Sequence, residues 1–271
     1  MAAQPLPGHL YKYQGVRDYC FENLAKSQAW YSTPLNLDDP YDCNIRIKVN
    51  KINRPEMVLL YEHYKPPLGK KGKTYKDDPQ QFWESLLNDP AFNEKFITPV
   101  LQAAEHELEA RRKKWSRERG VACFSARPDI LLMWSHYAMG HAGFCLEYDT
   151  SDLPFLNARP VRYRNKIPAI NALDLIAANP ATLDLLLLTK GMEWKYQQEW
   201  RIFSQKGNQP VEYVPECLSG IYFGLKLEPG YKEQLYRLGG PQTAFYQMEK
   251  SEDEYKIIAR RIERGEGVQS K

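Results

Sequence analysis

From Gly120 onward the chain reads as a series of short strand-like segments with few helical ones between them, and this order restricts the fold more than any other feature. The segments are Val121 to Ser125, Gly143 to Tyr148, the stretch around Val161 and Tyr163, Glu199 to Ser204, Ile221 to Gly224, Thr243 to Met248 and Tyr255 to Ile262. They are enriched in the β-branched and aromatic residues that suit a pleated surface. Ahead of them stand Leu10-Tyr11-Lys12-Tyr13, a strand with its aromatics two apart on one face, and a helix from Arg17 to Gln28 with Cys20, Phe21, Leu24 and Ala25 at helical spacing. Ala29 to Ser32 gives a second strand, and Pro34 to Asp42 a turn-rich stretch. Met133 to Ala138 reads as a short helix, and Ala169 to Leu188 as a helix interrupted at Pro180. Regular alternation of strand and helix would predict a doubly wound sheet; this order predicts an α+β fold of mixed, mainly antiparallel sheets with a helical insertion.

The insertion falls at about residues 50–119. Pro66-Pro67, Gly69, Lys70-Lys71-Gly72-Lys73 and Asp77-Asp78-Pro79 make its first part polar, and Phe82, Trp83, Leu86 and Leu87 give a helical apolar side. A longer helix starts near Pro99, with Leu101, Ala104, Leu108 and Trp115 as its stripe. A single α+β domain is expected over residues 1–264, and a flexible tail over residues 265–271, with fraying from Arg264.

A chain of 271 residues, 43% hydrophobic and 26% charged, can bury a sizeable core without a disulfide or metal staple. The greasiest stretch, Leu183 to Leu188, is about a third of what a membrane span needs. The five cysteines (Cys20, Cys43, Cys123, Cys145, Cys217) are odd in number and never spaced C-x-x-C, which predicts reduced thiols in a cytoplasmic protein with no zinc site. The start of the chain lacks the pattern of a secretory signal. A net charge of +3 is too mild to demand nucleic acid and does not exclude it. Neither G-x-G-x-x-G nor a complete P-loop occurs; Gly72-Lys73-Thr74 imitates the end of one, but Pro67 stands where its first glycine must be.

Four constellations could carry chemistry. Trp134-Ser135-His136-Tyr137 precedes Gly140-His141; the two histidines are five apart and share no helix face, which argues against a metal pair. His136 and Tyr137 are either packed aromatics or a donor and a stacking face at a pocket. In Glu199-Trp200-Arg201-Ile202-Phe203, alternation puts Glu199 and Arg201 on one strand face. They form a structural ion pair, or Glu199 accepts a substrate hydroxyl while Arg201 orients it or holds an anion. Arg111, Arg112, Lys113 and Lys114 with Trp115 form a basic patch that is either a solvated helix end or a contact for nucleic-acid phosphates. The turn Asp38-Asp39-Pro40-Tyr41-Asp42 suits turn chemistry better than a cation, since it lacks the ligand spacing of a calcium loop. No metal is expected.

Taken together, Leu10-Tyr11-Lys12-Tyr13, Ser32-Thr33-Pro34, Asp39-Pro40-Tyr41-Asp42, Cys123-Phe124-Ser125, Met133 to Ala138, His141 to Tyr148, Glu199-Trp200-Arg201 and Tyr222-Phe223-Gly224 resemble the bacterial family named domain of unknown function 2971. The likeness spans Leu10 to about Gly224. Family members usually carry arginine where this chain has Gln14, and F-N-D-P where it has Leu37-Asp38-Asp39-Pro40. If that arginine binds a phosphate in relatives, the role falls here to Lys12 or Arg17, or is lost.

By a further analogy the plan is similar to that of ADP-ribosyltransferases, which join a first strand with a polar group, an aromatic-bearing helix and a late strand presenting a glutamate. This implies a split sandwich and an NAD-dependent transferase or glycohydrolase, with a toxin or anti-phage effector as one such kind. In that reading Tyr11, Lys12, Tyr13, Ser32, Ser125, Trp134 and Tyr137 bind NAD, and Glu199, Arg201 and His136 are catalytic. The acceptor is nucleic acid or protein, with no membrane involved. A metal-independent nuclease using His136, Glu199 and Arg201, or a non-catalytic binding module, is the alternative.

Overall fold

The computed structural model describes residues 4–43, 88–177 and 179–267. The expected polar loop with its lysines, and the helix carrying Phe82, Trp83, Leu86 and Leu87, lie outside them. Two compact units emerge where the sequence suggests one domain: Met1–Pro40 with Arg117–Tyr163 and Leu188–Lys271, and Tyr41–Ser116 with Arg164–Leu187.

Along the chain run β1 (His9–Gln14), α1 (Asp18–Ala25), β2 (Gln28–Tyr31), α2 (Thr98–Glu118), β3 (Gly120–Ser125), α3 (Leu131–Tyr137), β4 (Phe144–Asp149), β5 (Arg159–Pro160) and β6 (Arg162–Arg164). They are followed by α4 (Ala172–Ile176), α5 (Pro180–Leu187), β7 (Thr189–Gly191), β8 (Glu199–Ser204), β9 (Gln209–Glu212), β10 (Leu218–Phe223), α6 (Pro229–Leu238), β11 (Ala244–Lys250) and β12 (Ile257–Ile262). The α+β class holds. Eight strands join one sheet in the order β12-β11-β10-β4-β1-β3-β8-β5, and β2–β9 and β6–β7 form two small pairs. Every neighbouring pair of the large sheet is antiparallel except β10 and β11, which are parallel and joined through α6.

One seam divides that sheet. β1 is paired with β4 along its whole length and β3 likewise with β8, yet β1 and β3 share only the pair Tyr11 and Ser125. The ammonium of Lys12 spans the opening and donates to the carbonyl of Cys123 at 3.2 Å, a side chain standing in for a missing ladder bond.

Alternation assigns the two faces of β1. Leu10 joins Phe124, Phe144, Leu146, Trp200, Ile202, Ile221 and Phe223 in the larger core, closed by Phe21 and Leu24 of α1 and Leu235 and Tyr236 of α6. Tyr13 turns the other way, to Trp134 and Ala138 of the α3 region, Cys145, Tyr222 and Met248. The second unit has its own small core, where Ala104 and Leu108 of α2 meet Ile170, Leu175 and Leu186.

The chain is not frayed at Arg264, whose guanidinium donates to the carbonyls of Tyr236, Gly239 and Gly240. No helix among the described residues is long and apolar enough to cross a membrane.

Candidate active site

The seam opens into a cavity of about 160 Å³. Tyr11, Lys12 and Tyr13 line it from β1, Cys123, Phe124 and Ser125 from β3, and Met133 and Tyr137 from α3. Lys190, Gln197 and Glu199 close another side, and Asn36 to Asp38 stand at its border.

Glu199 is the centre of its polar wall. Alternation along β8 brings Arg201 to the same side, where Nε donates to Oε1 at 2.7 Å and Nη2 to Oε2 at 3.3 Å. Lys190 donates to Oε2 at 2.9 Å and to the Gln197 side-chain oxygen at 2.8 Å. Gln197 in turn donates to the Tyr137 hydroxyl at 2.9 Å, and the main-chain N–H of Glu199 to the Tyr163 hydroxyl at 2.8 Å. The result is a continuous chain of hydrogen bonds, Tyr137–Gln197–Lys190–Glu199–Arg201. Gln197 and Glu199 both reach the cavity across Gln198, which takes a left-handed conformation (φ 45°) where the 3₁₀ turn Met192–Gln197 meets the strand.

The electrostatics follow from burial and pairing. Burial pushes the Glu199 carboxyl up, but the charges of Arg201 and Lys190 and the hydrogen bonds from Arg201 pull it down further and hold it well below the ordinary carboxylate range. It stays an anion at any working pH. Burial and the neighbouring Glu199 charge push the Cys123 thiol well up, so it stays protonated. Burial pulls the Lys12 ammonium down, and it pushes the Tyr137 hydroxyl up to about 12.

A second carboxylate lies in register with the first. Glu147 pairs with Tyr11, Tyr11 with Ser125 and Ser125 with Glu199, one row across four strands. Glu147 accepts from Tyr222 at 2.5 Å and Ser219 at 2.8 Å, so Tyr11 stands between a structural acid and the cavity.

The other residues singled out by sequence are distributed as follows. Tyr13 accepts the N–H of Ile130 and donates to the carbonyl of Arg127, which fixes the entry to α3. Trp134 is fully buried, donates to the Pro128 carbonyl and packs edge-on against Tyr13, so it supports α3 from beneath and does not reach the cavity. Ser125 donates to the Gln197 carbonyl at 2.8 Å. Ser32 is bridged to Val121 through its main chain, away from the cavity. His136 is exposed, with Nδ1 3.1 Å from the Tyr196 hydroxyl, and does not line the cavity. The basic run on α2 is compensated locally: Arg111 pairs with Glu107, Lys113 with Glu109, and Arg112, buried, with Glu109 and the Cys43 carbonyl. Lys114 is exposed and Trp115 half-buried. Among the described residues no cluster of His, Cys, Asp and Glu could hold a metal ion.

Lys190 and Gln197 were not legible as site residues. Gln197 lies two positions before Glu199, so carrying the strand alternation one step back would have found it. Lys190 has no such signal, because its place depends on how β7 packs.

The family comparison falls on this site. Residues 133–202 match the model of a family described as Protein of unknown function (DUF2971). The matched stretch contains Tyr137, Lys190, Gln197, Glu199 and Arg201, while β1 lies outside it. No curated protein and no solved structure matches the chain.

Proposed function

We propose that the seam cavity is the active site of an enzyme that cleaves the nicotinamide–ribose bond of NAD and passes the ADP-ribosyl group to a macromolecule or to water. One observation carries this reading: the first strand, the aromatic of α3 and the late glutamate line the same cavity. At about 160 Å³ it is smaller than the roughly 300–1,000 Å³ of sites that enclose a whole drug-sized ligand, so it suits the nicotinamide-ribose end alone.

Breaking that bond leaves its electron pair on nicotinamide and positive charge on the ribose, as in glycoside cleavage. Glu199, locked as an anion, is suited to face that charge and unsuited to act as a general acid. A ribose hydroxyl entering the cavity would donate to the Glu199 carboxylate, which forms part of its wall. Arg201 and Lys190 keep the carboxylate oriented, Tyr137 offers a ring to the leaving group, and Gln197 offers a carboxamide. The acceptor supplies a nucleophile and loses a proton to bulk water. A nuclease reading would need His136 beside Glu199, and its bond to Tyr196 outside the cavity does not favour it.

The test is release of nicotinamide from NAD with nucleic acids and proteins offered as acceptors. Turnover should fall about 100-fold or more in Glu199→Gln, and KM should rise in Tyr137→Ala. Intact NAD with every acceptor, or unchanged turnover in a folded Glu199→Gln protein, overturns the reading.

A further inference from the structure

Beside the cavity, four rings follow one another. Tyr137, bonded to Gln197, has its ring centre 6.3 Å from that of His136; His136 is 6.1 Å from Tyr196, and Tyr196 is 6.3 Å from Trp194 with the planes 34° apart. Lys190, which holds Glu199, also lies 4.9 Å over the Trp194 ring. His136 is exposed, and Tyr137, Tyr196 and Trp194 are half-buried. His136, Tyr196 and Trp194 belong to none of the apolar cores of the described residues. Their rings therefore do not serve core packing, although each offers a flat π surface at low entropic cost. Lys195, exposed between the two aromatics of the turn, adds positive charge where a phosphate would follow a stacked base.

We propose that His136, Tyr196 and Trp194 form a stacking subsite for a nucleobase. The size of the cavity gives the base its origin: a dinucleotide with one end at Glu199 leaves its adenine outside, and His136, Tyr196 and Trp194 stand beside the cavity without lining it. A base of single-stranded nucleic acid presents the same π face. The subsite rests on the reading of the cavity only for this placement, since stacking is measured without turnover.

The full-length chain is titrated with AMP and, separately, with a short oligothymidylate, following tryptophan fluorescence and heat. Saturable binding is expected, weakened about tenfold or more in Trp194→Ala and Tyr196→Ala and restored in Trp194→Phe. Binding of AMP assigns the base to the dinucleotide, and binding of the oligothymidylate alone assigns it to nucleic acid. The proposal is overturned if neither titrant binds, or if whichever titrant binds the wild type binds the alanine variants equally well. If Trp194→Ala does not fold because Lys190 loses its ring, Tyr196→Ala alone decides. AMP binding without NAD turnover would remove the proposed reaction and leave the subsite standing.

Discussion

At the scale of single residues, Glu199 serves stability and the proposed chemistry through the same contacts. Arg201 has no exposed surface, and removing its counter-ion would leave a buried guanidinium short of compensation. Glu199→Ala should therefore cost about 3–5 kcal/mol in urea unfolding at neutral pH, whereas replacing Glu199 and Arg201 together by apolar residues of similar volume should cost much less than the two single changes added. The pH dependence has a definite sign. The folded pKa of Glu199 is depressed, to about 2, so its contribution is complete above the unfolded carboxyl value of roughly 4.3 and is lost as pH falls towards the folded one. Wild-type stability should decline over that acid window more steeply than stability of Glu199→Gln. Parallel acid limbs would show that the pair is not maintained in solution. The pairing of Glu199 with Arg201 was legible from spacing alone, because two residues two apart on a strand must share a face. Lys190 was not, since nothing local to Thr189-Lys190-Gly191 distinguishes it from a solvated lysine.

At the scale of elements, the site depends on where α3 rests over the sheet. The turn after α3 closes on Gly143, whose N–H donates to the Ala138 carbonyl at 2.8 Å, and Gly224 approaches from β10 to donate to the Gly143 carbonyl at 3.0 Å. A Cβ at Gly143 would stand 2.1 Å from the carbonyl oxygen of Gln14 and 3.0 Å from the backbone of Ala138. Backbone on both sides leaves little room to yield. Gly143→Ala should therefore destabilise by about 1–3 kcal/mol or more in a thermal or urea melt, and should impair any activity that depends on Tyr137. A variant as stable and active as the wild type would show that α3 is free to move. Most elements were readable, because alternation in Leu10 to Tyr13 and the 3.6-residue stripe of α1 report faces that are buried in the fold. Helix α6 is not among the elements expected from sequence, although Pro229 at its first turn is a recognised helix start, and neither are the short strands β7 and β9. The seam could not be foreseen. Whether β1 and β3 pair over six residues or one is decided by what each packs against, and no periodicity in either segment carries that information.

At the scale of the whole molecule, the division into two compact units bears on how the chain unfolds, and its thiols offer a direct probe of both. Their odd number and wide spacing predict reduced cysteines, and the structure joins none of Cys20, Cys43, Cys123, Cys145 and Cys217 in a disulfide. Four of the five are buried, and only Cys123 has intermediate exposure, at the cavity wall. Burial also holds the thiols of Cys20, Cys123, Cys145 and Cys217 above their ordinary pKa, so the reactive thiolate is scarce in the folded protein. A thiol reagent should therefore titrate five groups in denaturant. In native buffer it should react slowly and with Cys123 ahead of the others, identified by mass spectrometry of the labelled peptide. Because the thiols are spread over both units, the later labelling orders the openings: Cys43 lies in the smaller unit and the other four in the larger, so Cys43 reacting alone at intermediate urea marks separate unfolding. A ligand seated in the cavity should slow labelling of Cys123 and leave Cys43 unaffected, which ties the accessibility of one thiol to occupation of the seam. Fewer than five thiols in denaturant would establish a disulfide that the fold has no place for, and early labelling of Cys145 in place of Cys123 would put the opening of the sheet somewhere other than between β1 and β3.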